Sequence, residues 1–334
     1  MNVTELAPLL LKSPHSIYGD VCSVHDDGFS WLPNQSIDLV LTDPPFNIAR
    51  DTNFHTYEKN TINSFRFDKD KGWDSYSNEG FKELLCSWSL EFNRVLRPGG
   101  SFAVFCADEY LSDLISALRK AGLKPRRTLT WRKPNAVPVN RKHMMMSACE
   151  YVVIGVKGSK SVFNVDIDLN ATDQITDQEV IAIADKAATV LDLEIRKILS
   201  AGTKRLTPDE IRELVQKVIV ENAGAIAKRS INIYSDNRNS AELCVPNYVA
   251  FNSKAGAGRL HPTEKPIPLL SYLMQLLSNL GDVVLDPFSG SASTGETAAL
   301  TGRQAVLVER DSEFFEKGSE RMRKITEVAE NKLL

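Results

Sequence analysis

Four consecutive residues, Asp43-Pro44-Pro45-Phe46, combine groups that could bind a planar molecule with an amino substituent, such as a nucleobase. They follow the aliphatic run 37–42, which is typical of a buried parallel strand. Two prolines end such a strand, because neither has an N–H for the ladder, and they keep the backbone extended and rigid. Open α/β sheets bind their ligands at such strand ends. The alternative is a proline-rich turn with an incidental acid.

A second candidate site lies near the other end of the chain. The run Val284-Leu285-Asp286-Pro287-Phe288-Ser289-Gly290-Ser291 predicts a strand, a tight glycine turn and the start of a helix. Glu309 ends the next strand, and an acid about 20 residues after such a turn commonly binds ribose hydroxyls. No GxGxxG or Gly-Lys-Ser/Thr motif is present for phosphates. Because Asp286 would repel phosphate, we expect S-adenosylmethionine, a cationic cofactor with a ribose and no phosphate.

The composition is that of an ordinary soluble globular protein: 334 residues, 43% of them hydrophobic and 25% charged, with a net charge of -3. This charge excludes a chain that is basic throughout, but not one basic face for nucleic acid. With no apolar run of membrane-span length and no signal peptide, we expect a cytoplasmic protein. The five cysteines form no CxxC pair, and no His/Cys cluster has metal-ligand spacing.

Alternation of strands and helices predicts an α/β fold with a doubly wound parallel sheet. Strands are expected at 17–21, 37–42, 101–106, 128–132, 151–156, 282–285 and 304–309, and helices at 81–96, 110–121, 268–280, 293–300 and near the C-terminus. Two amphipathic helices between 166 and 229 interrupt this alternation and predict an inserted helical subdomain. We therefore divide the chain into residues 1–165 with the first motif, the insert region 166–254, and residues 255–334 with the second motif.

Three motifs resemble those of the amino-group DNA methyltransferases of the β arrangement. Residues 42–47 (Thr-Asp-Pro-Pro-Phe-Asn) are similar to the catalytic motif of that family, residues 285–291 to its cofactor motif, and residues 261–266 (His-Pro-Thr-Glu-Lys-Pro) to the segment before it. Their order matches the circularly permuted, Rossmann-like arrangement of the family, and the resemblance covers residues 17–158 and 255–325. One departure is alanine at position 292, where the family usually has glycine, and it predicts an ordinary backbone conformation there.

The resemblance implies a catalytic site in which the target base is flipped out of the duplex and stacked on Phe46. Asp43 and the carbonyl of Pro44, held by Pro45, would accept hydrogen bonds from its amino group. The resemblance further implies cofactor-binding roles for eight residues: Asp20 at the adenine edge, Thr263 and Lys265 closing the pocket, Glu309 at the ribose, and Asp286, Phe288, Gly290 and Ser291 around the methionine part.

The substrate implied by the resemblance is double-stranded DNA, with adenine N6 as the acceptor. Cytosine N4 is the alternative, but that group usually begins its catalytic tetrad with serine rather than aspartate. Cytosine C5 is excluded, because it requires a cysteine after proline, and no Pro-Cys pair occurs. A non-enzymatic DNA-binding module, an RNA or protein substrate, a homodimer and a cognate restriction endonuclease remain open.

Recognition of DNA is expected in residues 133–260. The basic loop residues Lys133, Arg141, Lys142 and His143 follow a late strand and could contact phosphates, which would make affinity fall with salt. The apolar stripes of the helical insert need a partner surface, which predicts target recognition combined with a contribution to dimerisation.

Overall fold

In the computed structural model the chain divides into two compact units, residues 1–163 with 245–334, and residues 164–244. The structure describes residues 15–47, 76–136, 148–165, 245, 247–253 and 264–331. The predicted helical insert, the basic loop residues Arg141, Lys142 and His143, and Thr263 lie outside these described residues. The two predicted halves on either side of the insert belong to the same unit.

Nine strands of the described chain form one sheet. Their bounds are β1 His15–Tyr18, β2 Val21–His25, β3 Ile37–Thr42, β4 Leu96–Cys106, β5 Lys124–Arg132, β6 Cys149–Val156, β7 Tyr248–Ala250, β8 Val283–Asp286 and β9 Gln304–Glu309. The strand order is β1-β2-β9-β8-β3-β4-β6-β5-β7. Strands near the two ends of the chain therefore lie side by side in the middle of the sheet, as the permuted motif order predicts. The predicted strands at 37–42 and 304–309 are confirmed.

Five α-helices accompany the sheet in the described part of the chain: α1 Asn78–Val95, α2 Leu111–Lys120, α3 Ile267–Leu277, α4 Ser293–Leu300 and α5 Ser312–Asn331. A 3₁₀ turn at Asp108–Tyr110 precedes α2. The side chain of Ser77 caps α1 by accepting a hydrogen bond from the N–H of Gly80. None of the described helices is long and apolar enough to cross a membrane.

The sheet is mixed rather than parallel throughout, which corrects one expectation. Strand β6 runs antiparallel to both of its neighbours, β4 and β5, and β1 runs antiparallel to β2. The physical reason is the connection: parallel neighbours need a long crossover, usually through a helix, whereas antiparallel neighbours do not. The sequence between β5 and β6 has no helical pattern, and this feature could have indicated that the two strands run antiparallel.

Two strand pairs join the two halves of the chain: β2 with β9, over five residue pairs, and β3 with β8. The β3–β8 pair connects the strands that carry the two motifs. Only two residue pairs join these strands, Leu39 with Val284 and Val40 with Leu285. Asp38 adds to this ladder at the amino end of β3, because its Oδ2 accepts a hydrogen bond from the N–H of Val283 at 2.7 Å. The same carboxylate forms an ion pair with Arg97 on β4. One side chain thus connects three neighbouring strands.

Packing at Gly155 on β6 generates a stability prediction. A Cβ atom there would lie 2.3 Å from the backbone oxygen of Lys124 and 2.3 Å from the ring of Phe102. Replacing Gly155 with Ala should therefore lower the free energy of unfolding by about 1–3 kcal/mol, the usual cost of overpacking a core. Denaturant unfolding would measure it.

The matched control is Gly28→Ala. A Cβ atom at Gly28 would have no heavy atom within 4 Å. Its unfolding midpoint should therefore stay close to that of the wild type. Equal midpoints for the two variants would contradict the close approach of β5 and β6 at Gly155.

Candidate active site

A cavity of about 510 Å³ lies at the carboxyl ends of β3, β8 and β9. This volume is within the range of small-molecule sites. The cavity brings together both sequence motifs, since its lining includes the predicted residues Asp43, Pro44, Pro45, Phe46, Lys265, Asp286, Phe288, Gly290, Ser291 and Glu309. Strand ends from opposite halves of the chain thus form one site.

Asp286 connects the two motifs through its buried carboxylate. Its Oδ1 accepts a hydrogen bond from the hydroxyl of Thr42 at 2.7 Å, and its Oδ2 accepts one from the hydroxyl of Thr294 at 2.6 Å. The N–H of Phe288 donates to Oδ1 as well. Burial raises the pKa of Asp286, and these hydrogen bonds oppose that rise. Asp286 therefore holds the end of β3, the glycine turn and the first turn of α4 in one arrangement.

The turn after β8 contains a left-handed alanine, which corrects the expectation of an ordinary backbone there. Ala292 has φ 62° and ψ 31°, and it is the N-cap residue of α4. This conformation costs a residue with a side chain about 1–2 kcal/mol. Hydrogen bonds on both sides of Ala292 hold it: its N–H donates to the carbonyl of Ser289, and its own carbonyl accepts from Glu296. The turn thus keeps the conformation that glycine usually provides.

Glu309, at the end of β9, holds the same turn from the other side. Its Oε2 accepts a hydrogen bond from the N–H of Gly290 at 2.7 Å, and its Oε1 accepts one from the N–H of Asp311 at 2.8 Å. Burial raises the pKa of Glu309, while the two backbone hydrogen bonds oppose the rise. Each carboxylate oxygen retains a second lone pair for a ligand hydroxyl.

The structure does not bring Asp20 to the cavity, in contrast to the expectation. Strand β1 ends one residue before Gly19, whose φ of 55° turns the chain, so Asp20 precedes β2 instead of ending a strand. Its carbonyl accepts a hydrogen bond from Ala305, near the start of β9. Five residues of β2, roughly 15 Å, separate it from the cavity end. Asp26 and Asp27, which follow β2, line the cavity instead.

Lys265 lines the cavity and lies against the first motif, and its role in closing over a cofactor remains a prediction. Its side chain is only 5% exposed, and its Nζ is 2.5 Å from Oδ2 of Asp43 and 3.3 Å from Oε2 of Glu150. The ammonium group also lies 5.2 Å from the centroid of the Phe46 ring and 5.1 Å from that of Phe105, as in cation–π contacts. Lys265 thus contacts both the carboxylate and the ring of the first motif.

These charges change one another's pKa values. Burial raises the pKa of Asp43 to about 7, with Glu150 and Asp286 adding to the rise and Lys265 opposing it. Burial would also raise the pKa of Glu150, but the ammonium groups of Lys265 and Lys133 hold it below its ordinary value. For Lys265, burial acts to lower the pKa, and the two carboxylates more than reverse this.

Asn47 fixes the loop that carries Phe46, and the sequence analysis assigned it no role. It adopts the left-handed conformation with φ 57° and is fully buried. Its Nδ2 donates to the hydroxyl of Tyr110, and its Oδ1 accepts from the N–H of Tyr76. Asparagine tolerates this conformation better than most residues, and that preference was the signal in the sequence.

Lys133 is engaged within the protein. Its ammonium group forms an ion pair with Oε1 of Glu150 and lies 5.1 Å from the centroid of the Trp131 ring. Contact with DNA phosphates remains a prediction for this residue.

Two further residues were not predicted from the sequence: Trp88, which lines the cavity, and Arg321, which contacts the lining residues Glu264 and Ser291. Trp88 on α1 meets the Phe288 ring edge to face, with centroids 4.7 Å apart. Its helical spacing indicated only a core position. Arg321 on α5 donates to Glu264 at 2.7 Å and to the carbonyl of Ser291 at 3.1 Å, and it forms an ion pair with Glu296 on α4. No local pattern distinguishes Arg321 from the other charged residues of α5.

A family model and a curated relative match most of the chain. A family model described as DNA methylase, of the N6/N4 type, matches residues 37–320. The chain is 22% identical to the type II methyltransferase M2.MboI of Moraxella bovis over 308 residues, which is 92% of this chain and 88% of that protein.

A solved DNA methyltransferase structure shares the fold. The PvuII DNA methyltransferase, described as cytosine-N4-specific, aligns with a TM-score of 0.53 at 16% identity, over 92% of this chain and 91% of that one. The complex of M1.HpyAVI with S-adenosylmethionine aligns with a TM-score of 0.47 at 19% identity, over 86% and 89% of the two chains.

Within the described residues, no group of three or more His, Cys, Asp or Glu side chains could hold a metal ion.

The Arg321 cluster generates a prediction. The side chain of Glu264 is 0% exposed and that of Arg321 is 10% exposed. Replacing Arg321 with Met removes the cation beside a buried carboxylate, which should lower the free energy of unfolding by about 3 kcal/mol. Chemical denaturation would measure this loss.

Arg323→Met is the matched control, two residues further along the same helix. Arg323 pairs with Glu320 and Glu327, and all three side chains are about half exposed. Such exposed pairs contribute little to stability, so the free energy of unfolding of this variant should equal that of the wild type. If the two variants lost equal stability, the cluster around Arg321 would have no special part in holding the turn.

Proposed function

The chain belongs to the N6/N4 DNA methylase family, and on that premise we propose that it transfers a methyl group from S-adenosylmethionine to the N6 amino group of adenine in double-stranded DNA. One observation carries the proposal. At the end of β3, Oδ1 of Asp43 is buried and has no hydrogen-bond partner among the described residues. It lines the same cavity as the Phe46 ring and the glycine turn. An unpaired acceptor beside an aromatic face suits a base with an amino group.

The residues at the other end of the cavity fit S-adenosylmethionine. Among the described residues, four carboxylates (Asp26, Asp27, Glu309 and Asp311) and the guanidinium of Arg310 line this part of the cavity, which suits an ammonium group and ribose hydroxyls better than phosphates. When bound, the cofactor supplies an electrophilic methyl group on its sulfonium. Glu309 would accept the ribose hydroxyls, Asp26 or Asp27 would take the adenine edge in place of Asp20, and Gly290 and Ser291 would contact the methionine part. Phe288, beside Trp88, would supply an apolar wall.

At the first motif, the protein orients the acceptor nitrogen. Phe46 would stack on the flipped base, on the face of the ring away from Lys265. Oδ1 of Asp43 and the carbonyl of Pro44 would accept the two amino hydrogens, which directs the nitrogen lone pair towards the methyl group. The proton that leaves after transfer would pass to Asp43 or to solvent. Positioning and local electrostatics, rather than a covalent intermediate, would thus supply the rate enhancement.

Cytosine N4 is the second candidate acceptor. The exocyclic amino groups of cytosine and adenine present the same two hydrogens to Asp43, and the PvuII enzyme, whose fold this chain shares, is cytosine-N4-specific. Aspartate at the first position of the tetrad favours adenine. A homodimer, a cognate restriction endonuclease and a cytoplasmic location remain predictions of the sequence.

The function is tested by expressing the protein in a host that lacks DNA methylation. We expect mass spectrometry of the digested DNA to show N6-methyladenine. The Asp43→Asn variant should bind S-adenosylmethionine with unchanged affinity but methylate at least about 100-fold more slowly, because one preorganised charge at the reacting group is lost. N4-methylcytosine in place of N6-methyladenine would favour the second candidate. Full activity of the Asp43 variant would contradict the assigned mechanism.

Stacking on Phe46 gives an independent prediction. Phe46→Ala should weaken binding of DNA with a flippable target base by about 1–3 kcal/mol, the usual contribution of an aromatic ring stacked on a base. Phe46→Tyr keeps the ring and should bind like the wild type. A fluorescent base analogue at the target position would report both affinities. Equal losses in the two variants would show that Phe46 does not stack on the base.

A further inference from the structure

A second buried carboxylate, that of Glu150, contacts Lys265 and is not among the described residues that line the cavity. Glu150 on β6 contacts the ammonium group of Lys265 at 3.3 Å, and Asp43 contacts the same group at 2.5 Å. On its other oxygen, Glu150 forms an ion pair with Lys133. Positive and negative groups therefore alternate in a row from Lys133 through Glu150 and Lys265 to Asp43.

The two acids of this row, Asp43 and Glu150, share the single ammonium group of Lys265. Oδ1 of Asp43 is buried without a hydrogen-bond partner among the described residues. The buried Oε2 of Glu150 has the 3.3 Å ion pair with Lys265 but no hydrogen bond of good geometry among those residues. The Phe46 and Phe105 rings flank Lys265, so its Nζ has little room to move towards one acid without leaving the other. The position and charge of either carboxylate must therefore affect the other.

We propose that Glu150 is a positioning residue of the candidate base site, which acts through the shared ammonium group of Lys265 to hold Asp43 in place and to set its charge. Its effect on methyl transfer rests on the proposed function, whereas its effect on Asp43 does not. Glu150 touches neither the substrate nor the cofactor in this assignment.

The direction of the effect follows from the groups that face Asp43. Lys265 stabilises the ionised carboxylate, whereas Glu150 and Asp286 destabilise it. Among the described residues, the thiol of Cys106 on β4 is also a neighbour; its pKa is raised to about 12, so it is neutral. Removing the charge of Glu150 should lower the pKa of Asp43. Removing Lys133 leaves the charge of Glu150 less compensated and should raise it. The two substitutions therefore have opposite expected signs.

The test is a carbon-13 NMR titration of the full chain labelled at its aspartate carboxyl carbons, with Asp43→Asn used to assign the Asp43 signal. The wild-type midpoint is expected near pH 7. In Glu150→Gln it should fall by about one pH unit or more, the usual effect of a like charge at this range. In Lys133→Met it should rise. Glu91→Gln on α1, which removes a carboxylate paired with Arg94, should leave the midpoint unchanged.

Single-turnover methyl transfer over the same pH range adds the functional readout. If ionised Asp43 is the active form, the rate rises with pH through the Asp43 midpoint. The midpoint of the rate profile should then shift to lower pH in Glu150→Gln and to higher pH in Lys133→Met. Unchanged midpoints in both variants would overturn the role of Glu150. If Glu150→Gln does not fold, Lys133→Met alone tests the proposal: a rise in the Asp43 midpoint supports it, and no rise overturns it. Absence of adenine methylation by the wild type would overturn the proposed function, while the titration would still decide the role of Glu150.

Discussion

The hydrogen bonds of the Asp286 carboxylate are the interaction on which the site depends. They join the hydroxyls of Thr42, the last residue of β3, and Thr294, in the first turn of α4. Only two residue pairs of backbone ladder connect β3 to β8. Asp38 ties the amino ends of this pair and Asp286 ties the carboxyl ends, so the two motifs keep a fixed separation. A buried carboxylate with all its partners costs little, whereas one partner removed leaves an unsatisfied group.

The buried charges around Lys265 serve the site more than the stability of the fold. Desolvation offsets most of the attraction in a buried ion pair, so such pairs contribute little net stability compared with apolar residues of similar size. They do restrict geometry, because each charge tolerates few positions. Lys265 contacts Asp43, Glu150 and two aromatic rings, and any movement of its ammonium group weakens one of these contacts. The arrangement is typical of functional sites, where charged groups shift one another's pKa values.

The parts of this protein that follow local rules could be predicted from the sequence. Strand β3 and its two prolines, the glycine turn after β8 and Glu309 at the end of β9 are local patterns, and all of them line one cavity. The failures concern contacts between distant residues. Asp20 lies away from the cavity because the chain turns at Gly19, inside the strand expected at 17–21, so that Asp20 precedes β2. Ala292 adopts a left-handed conformation that only its tertiary surroundings impose, and the partners of Arg321 lie up to 57 residues away.

The strand order also has a consequence for synthesis. Strand β3 receives its partner β8, and β2 receives β9, only after the ribosome has added the distant C-terminal part of the chain. About 120 residues lie between the end of the first half and β8. At about 5–20 residues per second, the ribosome needs roughly 6–24 s to add them. During that interval the inner edges of β2 and β3 have no native neighbour, and their buried aliphatic residues are open to other chains. Because of the permuted motif order, a nascent chain of this fold must be protected from aggregation until its C-terminal strands have been made.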